Sequence, residues 1–360
     1  MKRTDFSVDW LFAACAPDTE LLPWNAQFTP VDLPHDWQIR HADDLYRDGT
    51  LFYRKYFFVT DVPGTRRMLW FGGAYMDTTV FVNGTEVGQW KYGYTSFWFD
   101  ITDALHEGQN EVLVRCNLRH PNSRWYSGAG LYRNVELWEA PDLHLMPDGL
   151  YVAAKEGDNG AWTVAVTAEA GSVTAASTGR TLTLHLTDDN GNLLGTAAIP
   201  ADAWAALPSP DGWRTGKETA IYKASHTFTL QDPALWDLDA PSFYHITAEL
   251  TGADGVTDTL TTRFGCRTIE ATPDCGLLVN HKRVLIKGVC IHHDFGCLGS
   301  AFEYSAAKRQ LEILKSMGVN SIRTGHTPPA PQFMDLADEM GILMDVESFD
   351  CWRSGKNPYD

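Results

Sequence analysis

The 360-residue sequence predicts a multidomain fold: a jelly-roll β-sandwich, an immunoglobulin-like β-sandwich and the start of a (β/α)8 TIM barrel, truncated after about three strands. Residues 1–268 hold many short apolar segments separated by turn residues, with almost no helical periodicity. Residues 269–360 instead alternate strand-like and helix-like segments. The predicted domains are 1–140, 141–268 and 269–360.

The first domain is predicted from aromatic-rich strands and one hairpin signal. Leu51–Val59 is rich in aromatic and aliphatic residues, as half-buried strands are. Thr78–Val82 leads through Asn83-Gly84 into Glu86–Trp90. An Asn-Gly pair between strand-like segments predicts a hairpin, because both turn residues tolerate positive φ. Gly108–Asn110 is expected to form a further turn before the next strand.

The second domain is predicted from alternation of apolar and polar residues. Trp162–Ala168 and Thr181–Thr187 alternate strictly, and Asp189–Gly191 marks a turn after the second of them. About seven such strands fall within about 125 residues. This length and spacing are typical of an immunoglobulin-like sandwich.

The third domain begins with Val284–Ile291, an apolar run that predicts a strand buried on both faces. A helix, a strand, a helix and a strand are expected next, at Tyr304–Met317, Val319–Arg323, Pro331–Met340 and Ile342–Val346. The first helix carries an apolar stripe formed by Ala307, Leu311, Leu314 and Met317. This order implies parallel strands joined by right-handed crossovers.

Polar side chains follow each of the three predicted parallel strands. His292–Asp294 come first, then Arg323 and His326, then Glu347 and Asp350. Because functional groups of (β/α)8 barrels collect at the carboxyl ends of the strands, we expect one shared site. Carboxylates accept hydrogen bonds from sugar hydroxyls, whereas Arg and His donate to sugar oxygens. A hydroxyl-rich ligand is therefore the favoured interpretation.

A metal site is the alternative for these histidines. Adjacent residues of a strand point to opposite faces, so His292 and His293 are not expected to share one metal ion. The sequence contains no HxH or HExxH spacing. A buried structural role suits His293 better than His292 or His326. No cofactor is predicted, and metal dependence of the parent protein stays open.

Five motifs resemble family 2 glycoside hydrolases, most closely bacterial β-galactosidases, over nearly the whole chain. They are LPHDW at Leu33–Trp37, SRWYSGAGLYRNV at Ser123–Val135, RFGCRTI at Arg263–Ile269, GVCIHHDFG at Gly288–Gly296 and SIRTGH at Ser321–His326. The resemblance implies a retaining exo-glycosidase that removes terminal β-D-galactosyl residues from oligosaccharides. β-Glucuronidase, β-mannosidase and arabinosidase activities stay open within the family.

The resemblance also implies substrate-binding positions on the predicted barrel strands. His292 and Asp294 correspond to the sugar-contacting positions after the first strand. His326 corresponds to a substrate-binding histidine after the second strand, with Arg323 just before it. Glu347 keeps a place near the site after the third strand. Val346 stands where many relatives have Asp, which argues against a metal contact there.

Three further substrate-binding candidates lie in the predicted jelly roll. Arg124 and Trp125 belong to a loop that, by resemblance, reaches toward the active site. Asp36 of the LPHDW motif is a candidate contact, and a structural role in fixing that turn is an equal alternative.

The two catalytic carboxyl groups implied by the resemblance are not found in this sequence. A retaining mechanism needs an acid/base and a nucleophile about 5 Å apart. In the family these groups follow the fourth and seventh barrel strands, and only about 90 residues follow the second sandwich here. The one Asn-Glu pair, Asn110-Glu111, is expected beside a jelly-roll turn. We therefore expect an inactive N-terminal fragment; a non-catalytic carbohydrate-binding protein is the alternative if the protein ends at Asp360.

Charge and composition limit the partners and the compartment. A net charge of −17 gives no basic footprint for nucleic acid and disfavours an anionic membrane surface. Seven cysteines without a CxxC pair indicate reduced thiols, and no segment is long enough to span a bilayer. Trp10–Ala16 is too short for a credible signal peptide and is expected to be a strand. These features predict a cytoplasmic protein that binds an oligosaccharide and is compatible with homo-oligomer formation.

Overall fold

The structure is a computed structural model that describes residues 1–41, 43–60, 64–173, 180–207, 217–251, 255, 257–350 and 355. Within these residues it contains 24 β-strands and two α-helices. They form two successive antiparallel sandwiches and a parallel sheet with its helices. The predicted fold class is confirmed.

The first sandwich pairs a six-stranded sheet with a four-stranded sheet. Its strands are β1 Lys2–Asp5, β2 Trp10–Cys15, β3 Thr29–Val31, β4 Gly49–Val59, β5 Thr65–Phe71, β6 Thr78–Val82, β7 Thr85–Trp90, β8 Phe97–Asp100, β9 Gly108–Leu118 and β10 Val135–Pro141. The strand orders are β3-β2-β4-β9-β6-β7 and β1-β10-β5-β8. Apolar residues of alternating positions, such as Leu51, Tyr53, Val112 and Val114, are fully buried between the sheets.

The predicted β6–β7 hairpin is confirmed, but the turn predicted at Gly108–Asn110 is wrong. Asn83 and Gly84 have φ values of 51° and 80°, as the hairpin requires. Gly108–Asn110 instead begins β9, and Asn110 is 1% exposed. Its side-chain amide donates to the carbonyl oxygens of His106 and Gly108, which compensates for its burial.

The second sandwich packs two four-stranded antiparallel sheets. Its strands are β11 His144–Glu156, β12 Ala161–Ser172, β13 Thr181–Asp188, β14 Leu193–Pro200, β15 Ala205–Leu207, β16 Ala220–Gln231, β17 Tyr244–Thr251 and β18 Thr257–Phe264. The orders are β11-β12-β16-β15 and β14-β13-β17-β18. Val164, Leu184 and Ile246 are among the residues buried between them, because every second residue of these strands is apolar.

The third region begins with a small antiparallel sheet of β19 Ile269–Thr272, β20 Gly276–Val279 and β21 Lys282–Arg283. A three-stranded parallel sheet follows, with the elements β22 Gly288–Ile291, α1 Tyr304–Ser316, β23 Ser321–Thr324, α2 Pro331–Glu339 and β24 Leu343–Val346. The helices bury an apolar face against this sheet that includes Ala307, Leu311, Phe333 and Leu336. The predicted order of parallel strands and crossover helices is confirmed.

Two details of this region differ from expectation. The predicted strand Val284–Ile291 is ordered as a strand only over its second half, and Leu285 and Ile286 are 72% and 55% exposed. Within β22, Gly288 and Cys290 are exposed and Val289 and Ile291 are only partly buried, so the predicted burial on both faces is wrong. Met317 is 71% exposed, because α1 already ends at Ser316. Gly318, with φ +86°, then turns the chain away from the apolar stripe of the helix.

The described residues form two α-helices, of 13 and 9 residues. Neither α-helix has the length and apolar character that crossing a bilayer requires.

Candidate functional site

The carboxyl ends of β22, β23 and β24 bring several predicted residues together. We call this group the rim cluster, and it consists of His292, Asp294, Arg323, His326 and Glu347. The parallel register sets its geometry, since Ile291 pairs with Thr324 and Thr324 with Val346. Residues just after these pairs therefore lie side by side.

His292 lies against a tryptophan from the jelly roll. Its imidazole is stacked on the Trp125 ring, with centroids 5.3 Å apart and planes 4° apart. Its Nδ1 atom contacts the carbonyl oxygen of Gly325. A carbonyl oxygen only accepts, so Nδ1 carries the hydrogen and Nε2 is left as an acceptor when the ring is neutral. An acceptor nitrogen is suited to a ligand hydroxyl.

Arg323, His326 and Glu347 form a hydrogen-bonded triad. Arg323 Nε and Nη2 donate to Glu347 Oε1 at 2.9 and 2.6 Å. His326 Nδ1 lies 2.5 Å from Glu347 Oε2, a contact in which the imidazole N–H donates. Each oxygen of the carboxylate therefore has its own partner, and the triad fixes the ring of His326.

The ionisation of Glu347 follows from these contacts. Partial desolvation acts to raise the pKa of Glu347, but the hydrogen bonds from His326 and Arg323 outweigh it and hold the pKa below its ordinary value. Glu347 is consequently a carboxylate at neutral pH. A group of this kind is not suited to protonate a leaving oxygen, since that role needs a raised pKa.

Residues of the jelly roll contact the segment that follows β24. Arg124 Nη2 donates to both carboxylate oxygens of Asp350, at 2.6 and 2.7 Å. The Tyr92 hydroxyl donates to the carbonyl oxygen of Ser348. Trp125 also meets His326 edge-on, with ring centroids 5.4 Å apart. The structure thus places Trp125 beside the rim cluster and joins Arg124 to the segment that follows β24.

Asp294 is the carboxylate of the rim cluster that makes no hydrogen bond or ion pair with any described residue. It lies close enough to the Tyr126 phenol to act on it electrostatically. Burial, followed by the charge of Asp36, raises the pKa of that phenol far above its ordinary value. Asp294 is half-buried and its oxygens are available to accept hydrogen bonds from a ligand.

Asp36 is enclosed by protein hydrogen-bond donors. It is 4% exposed, and backbone N–H groups of Gln38, Ala129 and Ser300 donate to its carboxylate at 2.8–3.0 Å. The Tyr126 hydroxyl donates at 2.6 Å and the Ser300 hydroxyl at 3.0 Å. Five protein donors occupy the carboxylate, so the structural alternative fits its surroundings.

His293 points away from its neighbour His292. Its Nε2 atom lies 2.8 Å from the carbonyl oxygen of Ser127, and its ring packs edge-on against Tyr94 with centroids 5.1 Å apart. Burial lowers the pKa of His293 to about 4, so the imidazole is neutral at pH 7. Within the described residues, no group of three or more His, Cys, Asp or Glu side chains has a geometry that would hold a metal ion.

One residue that sequence reasoning missed is Arg133. Its guanidinium is 2% exposed and donates to the carbonyl oxygens of Gly72, Tyr94 and Pro328 at 3.1, 2.9 and 3.2 Å. It thereby joins the jelly roll to the segment just after His326. Arg133 lies in the SRWYSGAGLYRNV motif, but no pattern in that motif separates a buried structural arginine from one that faces a ligand.

Comparison with family models matches three successive parts of the chain. Residues 23–141 match the sugar binding domain of glycosyl hydrolases family 2, residues 148–267 match a second model of glycosyl hydrolases family 2, and residues 271–355 match the TIM barrel domain of the family.

Individual relatives and a solved structure agree with these models. The chain is 34% identical to a β-galactosidase, BoGH2A, of Bacteroides ovatus over 100% of its own length and 42% of that protein. It is 27% identical to a β-glucuronidase of Bacteroides fragilis, with 89% and 48% covered. A crystal structure of a family 2 member from Bacteroides cellulosilyticus superposes with a TM-score of 0.87 at 28% identity, over 100% of this chain and 47% of that one. The chain spans less than half of each of these relatives and belongs to glycosyl hydrolase family 2.

Proposed function

We propose that this chain is the substrate-recognition part of a retaining exo-glycosidase that hydrolyses terminal β-D-galactosyl residues of oligosaccharides. The substrate class follows from family membership, since relatives are named β-galactosidase and β-glucuronidase. The choice of galactose over glucuronate rests on the charge of the rim cluster.

The observation that carries this choice is the pairing of both guanidinium groups at the site. Arg323 is bonded to Glu347 and Arg124 to Asp350, both through short charge-assisted hydrogen bonds. Asp294 adds a carboxylate with no counter-ion among the described residues. The described groups of this site thus carry no uncompensated positive charge that would bind the carboxylate of a glucuronoside. A neutral sugar meets no such electrostatic cost.

The remaining groups suit the hydroxyls of a neutral sugar. Asp294 accepts hydrogen bonds, His292 Nε2 accepts when the ring is neutral, and His326 Nε2 lies at the free end of a ring fixed by Glu347. Trp125 presents an aromatic ring beside both histidines, and aromatic rings pack well against the apolar faces of sugars. We therefore assign substrate binding to the rim cluster together with Arg124 and Trp125. We assign a structural role to Asp36.

We further propose that neither catalytic carboxyl group lies in this chain. Glu347 is held ionised by two donors, which makes it unfit as the general acid, and Asp36 is buried under five donors. We propose three domains: a jelly-roll sugar-binding domain at 1–140, an immunoglobulin-like β-sandwich at 141–268 and an incomplete TIM-barrel catalytic domain at 269–360. The proposed partner is an oligosaccharide substrate, and homo-oligomer formation is tested by measuring the mass of the protein in solution.

The test uses the protein expressed from the complete reading frame that encodes this chain. Its kcat/KM is measured on nitrophenyl β-D-galactoside and nitrophenyl β-D-glucuronide. We expect the galactoside to be preferred by about 100-fold or more, because a desolvated, unpaired carboxylate costs several kcal/mol. His292→Ala should lower kcat/KM on the galactoside by about 100-fold.

The matched control is His245→Ala, a histidine of β17 in the immunoglobulin-like sandwich, which should leave kcat/KM unchanged. Preference for the glucuronide would overturn the sugar assignment while leaving the glycosidase assignment in place. Absence of cleavage on both substrates, with sugar binding retained, would overturn the glycosidase assignment in favour of a non-catalytic carbohydrate-binding protein.

A further inference from the structure

A small cavity lies between the parallel sheet and the jelly roll, beside His292 of the rim cluster. Its volume is about 20 Å³, and its lining includes His293, Thr324, Phe295, Phe302 and Phe333. A cavity needs roughly 10–15 Å³ to hold one water molecule. This cavity therefore has room for a water molecule.

Two polar atoms of residues that line the cavity have no hydrogen-bond partner among the described residues. They are Nδ1 of His293 and Oγ1 of Thr324, and both are fully shielded from solvent. Thr324 as a whole is 5% exposed. An unpaired buried polar atom costs about 1–3 kcal/mol, so two such atoms beside one void require an explanation.

Both atoms can form a hydrogen bond with one small molecule that lies between them. His293 Nε2 faces the carbonyl oxygen of Ser127 at 2.8 Å and must donate to it, which leaves Nδ1 with a lone pair and no hydrogen. The Thr324 hydroxyl can donate or accept. A water molecule between them can donate one hydrogen to Nδ1 and accept from, or donate to, Oγ1.

We propose that this cavity holds one ordered water molecule that bridges His293 Nδ1 and Thr324 Oγ1. The water joins the segment just after β22 to Thr324, the last residue of β23. Thr324 precedes Gly325, whose carbonyl oxygen contacts His292. It also keeps His293 in the tautomer that holds Ser127, in the loop that carries Trp125. Thr324 and His293 are thus positioning residues for the rim cluster, independently of which sugar that cluster binds.

The first test is a crystal structure of the complete protein at a resolution that shows ordered waters. We expect one density peak in the cavity, within hydrogen-bond distance of both atoms. An empty cavity, or a rotated Thr324 that bonds His293 directly, would overturn the proposal.

The second test compares Thr324→Val with Thr324→Ser. The valine keeps the shape but removes the hydroxyl, whereas the serine keeps the hydroxyl. We expect the water to be lost in Thr324→Val and retained in Thr324→Ser. Nitrogen-15 NMR of labelled histidine supplies the second readout, with the His293 signals identified by their loss in His293→Gln.

The Nδ1 signal should move toward the position of a nitrogen without a hydrogen bond in Thr324→Val alone. Hydrogen exchange at Ala129, in the loop held by Ser127, should accelerate several-fold in the same variant. An unchanged Nδ1 signal in Thr324→Val would show that the hydroxyl is not part of the bridge, and would contradict the proposal even if the variant were less stable.

Discussion

The parallel sheet meets the two sandwiches through interfaces of different chemistry. Toward the jelly roll, several hydrogen bonds are buried or partly buried, including those of Asp36 with Ser300, Arg133 with Pro328, and His293 with Ser127. The contacts of Arg124 with Asp350 and of Tyr92 with Ser348 are exposed. Each of these contacts fixes one polar group at one position. This interface also carries Trp125 onto His292.

Toward the immunoglobulin-like sandwich the contacts are more exposed. Arg263 of β18 donates to Glu339 at 2.9 Å and lies 3.4 Å from Asp335, and the side chains of these acids are 45% and 63% exposed. Partly buried contacts also occur there: the Trp236 indole donates to the carbonyl oxygen of Asp338 at 2.9 Å, and the Lys315 ammonium donates to that of Leu238 at 3.0 Å. We infer that the jelly-roll interface fixes the positions of side chains in and around the rim cluster. The interface with the immunoglobulin-like sandwich mainly holds the two domains together.

The largest effect is expected from Asp36→Ala. Removing the carboxylate leaves five donors without their acceptor in a site that is 4% exposed. We expect the free energy of unfolding to fall by at least about 3 kcal/mol. Urea unfolding measures this loss, and hydrogen exchange at Ala129 and Ser300 locates it. Asp36→Asn, which keeps the shape, should lose less, and a loss below about 1 kcal/mol in the alanine variant would contradict the comparison.

The next largest effect is expected from Arg133→Met. The methionine fills similar space but leaves the carbonyl oxygens of Gly72, Tyr94 and Pro328 unpaired. We expect a loss of about 2–3 kcal/mol in the free energy of unfolding, with faster hydrogen exchange at Thr327, next to Pro328. Arg133→Lys is the matched control, since one ammonium group keeps the charge without the planar fork. Equal stability of all three proteins would show that these bonds do not hold the interface.

A third effect concerns pH and His293. The folded-state pKa of about 4 lies below the ordinary value of 6.5, so the unfolded chain takes up a proton at higher pH than the folded chain does. Stability is therefore fully present above about pH 6.5 and is lost as the pH falls toward 4. The wild-type protein should lose about 2 kcal/mol more than His293→Gln between pH 7 and pH 5. Parallel pH profiles for the two proteins would mean that His293 is not buried as a neutral ring.

Local patterns were sufficient to predict much of this fold but little of the jelly-roll interface. The Asn83-Gly84 turn and the alternation of β12 and β13 are properties of consecutive residues, and the structure agrees with both. The opposite orientation of His292 and His293 follows from strand geometry in the same way. Such features need no knowledge of distant parts of the chain.

The remaining features depend on residues far apart in sequence. Asp36 and Ser300 are separated by 264 positions, and Tyr92 and Ser348 by 256. No periodicity links such pairs, so the motif LPHDW alone left two roles open for Asp36. The strand predicted at Val284–Ile291 is longer than the observed strand, Gly288–Ile291, for a related reason. The burial of a strand depends on which distant elements cover it.

The smallest effect is expected from Arg263→Ala at the immunoglobulin-like interface. Its ion pairs with Glu339 and Asp335 are partly exposed, and exposed pairs contribute about 0–1 kcal/mol. The loss in free energy of unfolding should stay below about 1 kcal/mol and should vanish in 1 M NaCl, where the screening length is about 3 Å. Arg263→Met removes the guanidinium that lies over Phe243 but keeps an unbranched apolar stem, so it separates lost packing from lost charge. A loss above about 2 kcal/mol that salt does not reduce would place this interface in the same class as the one around Asp36, and the contrast between the two would fail.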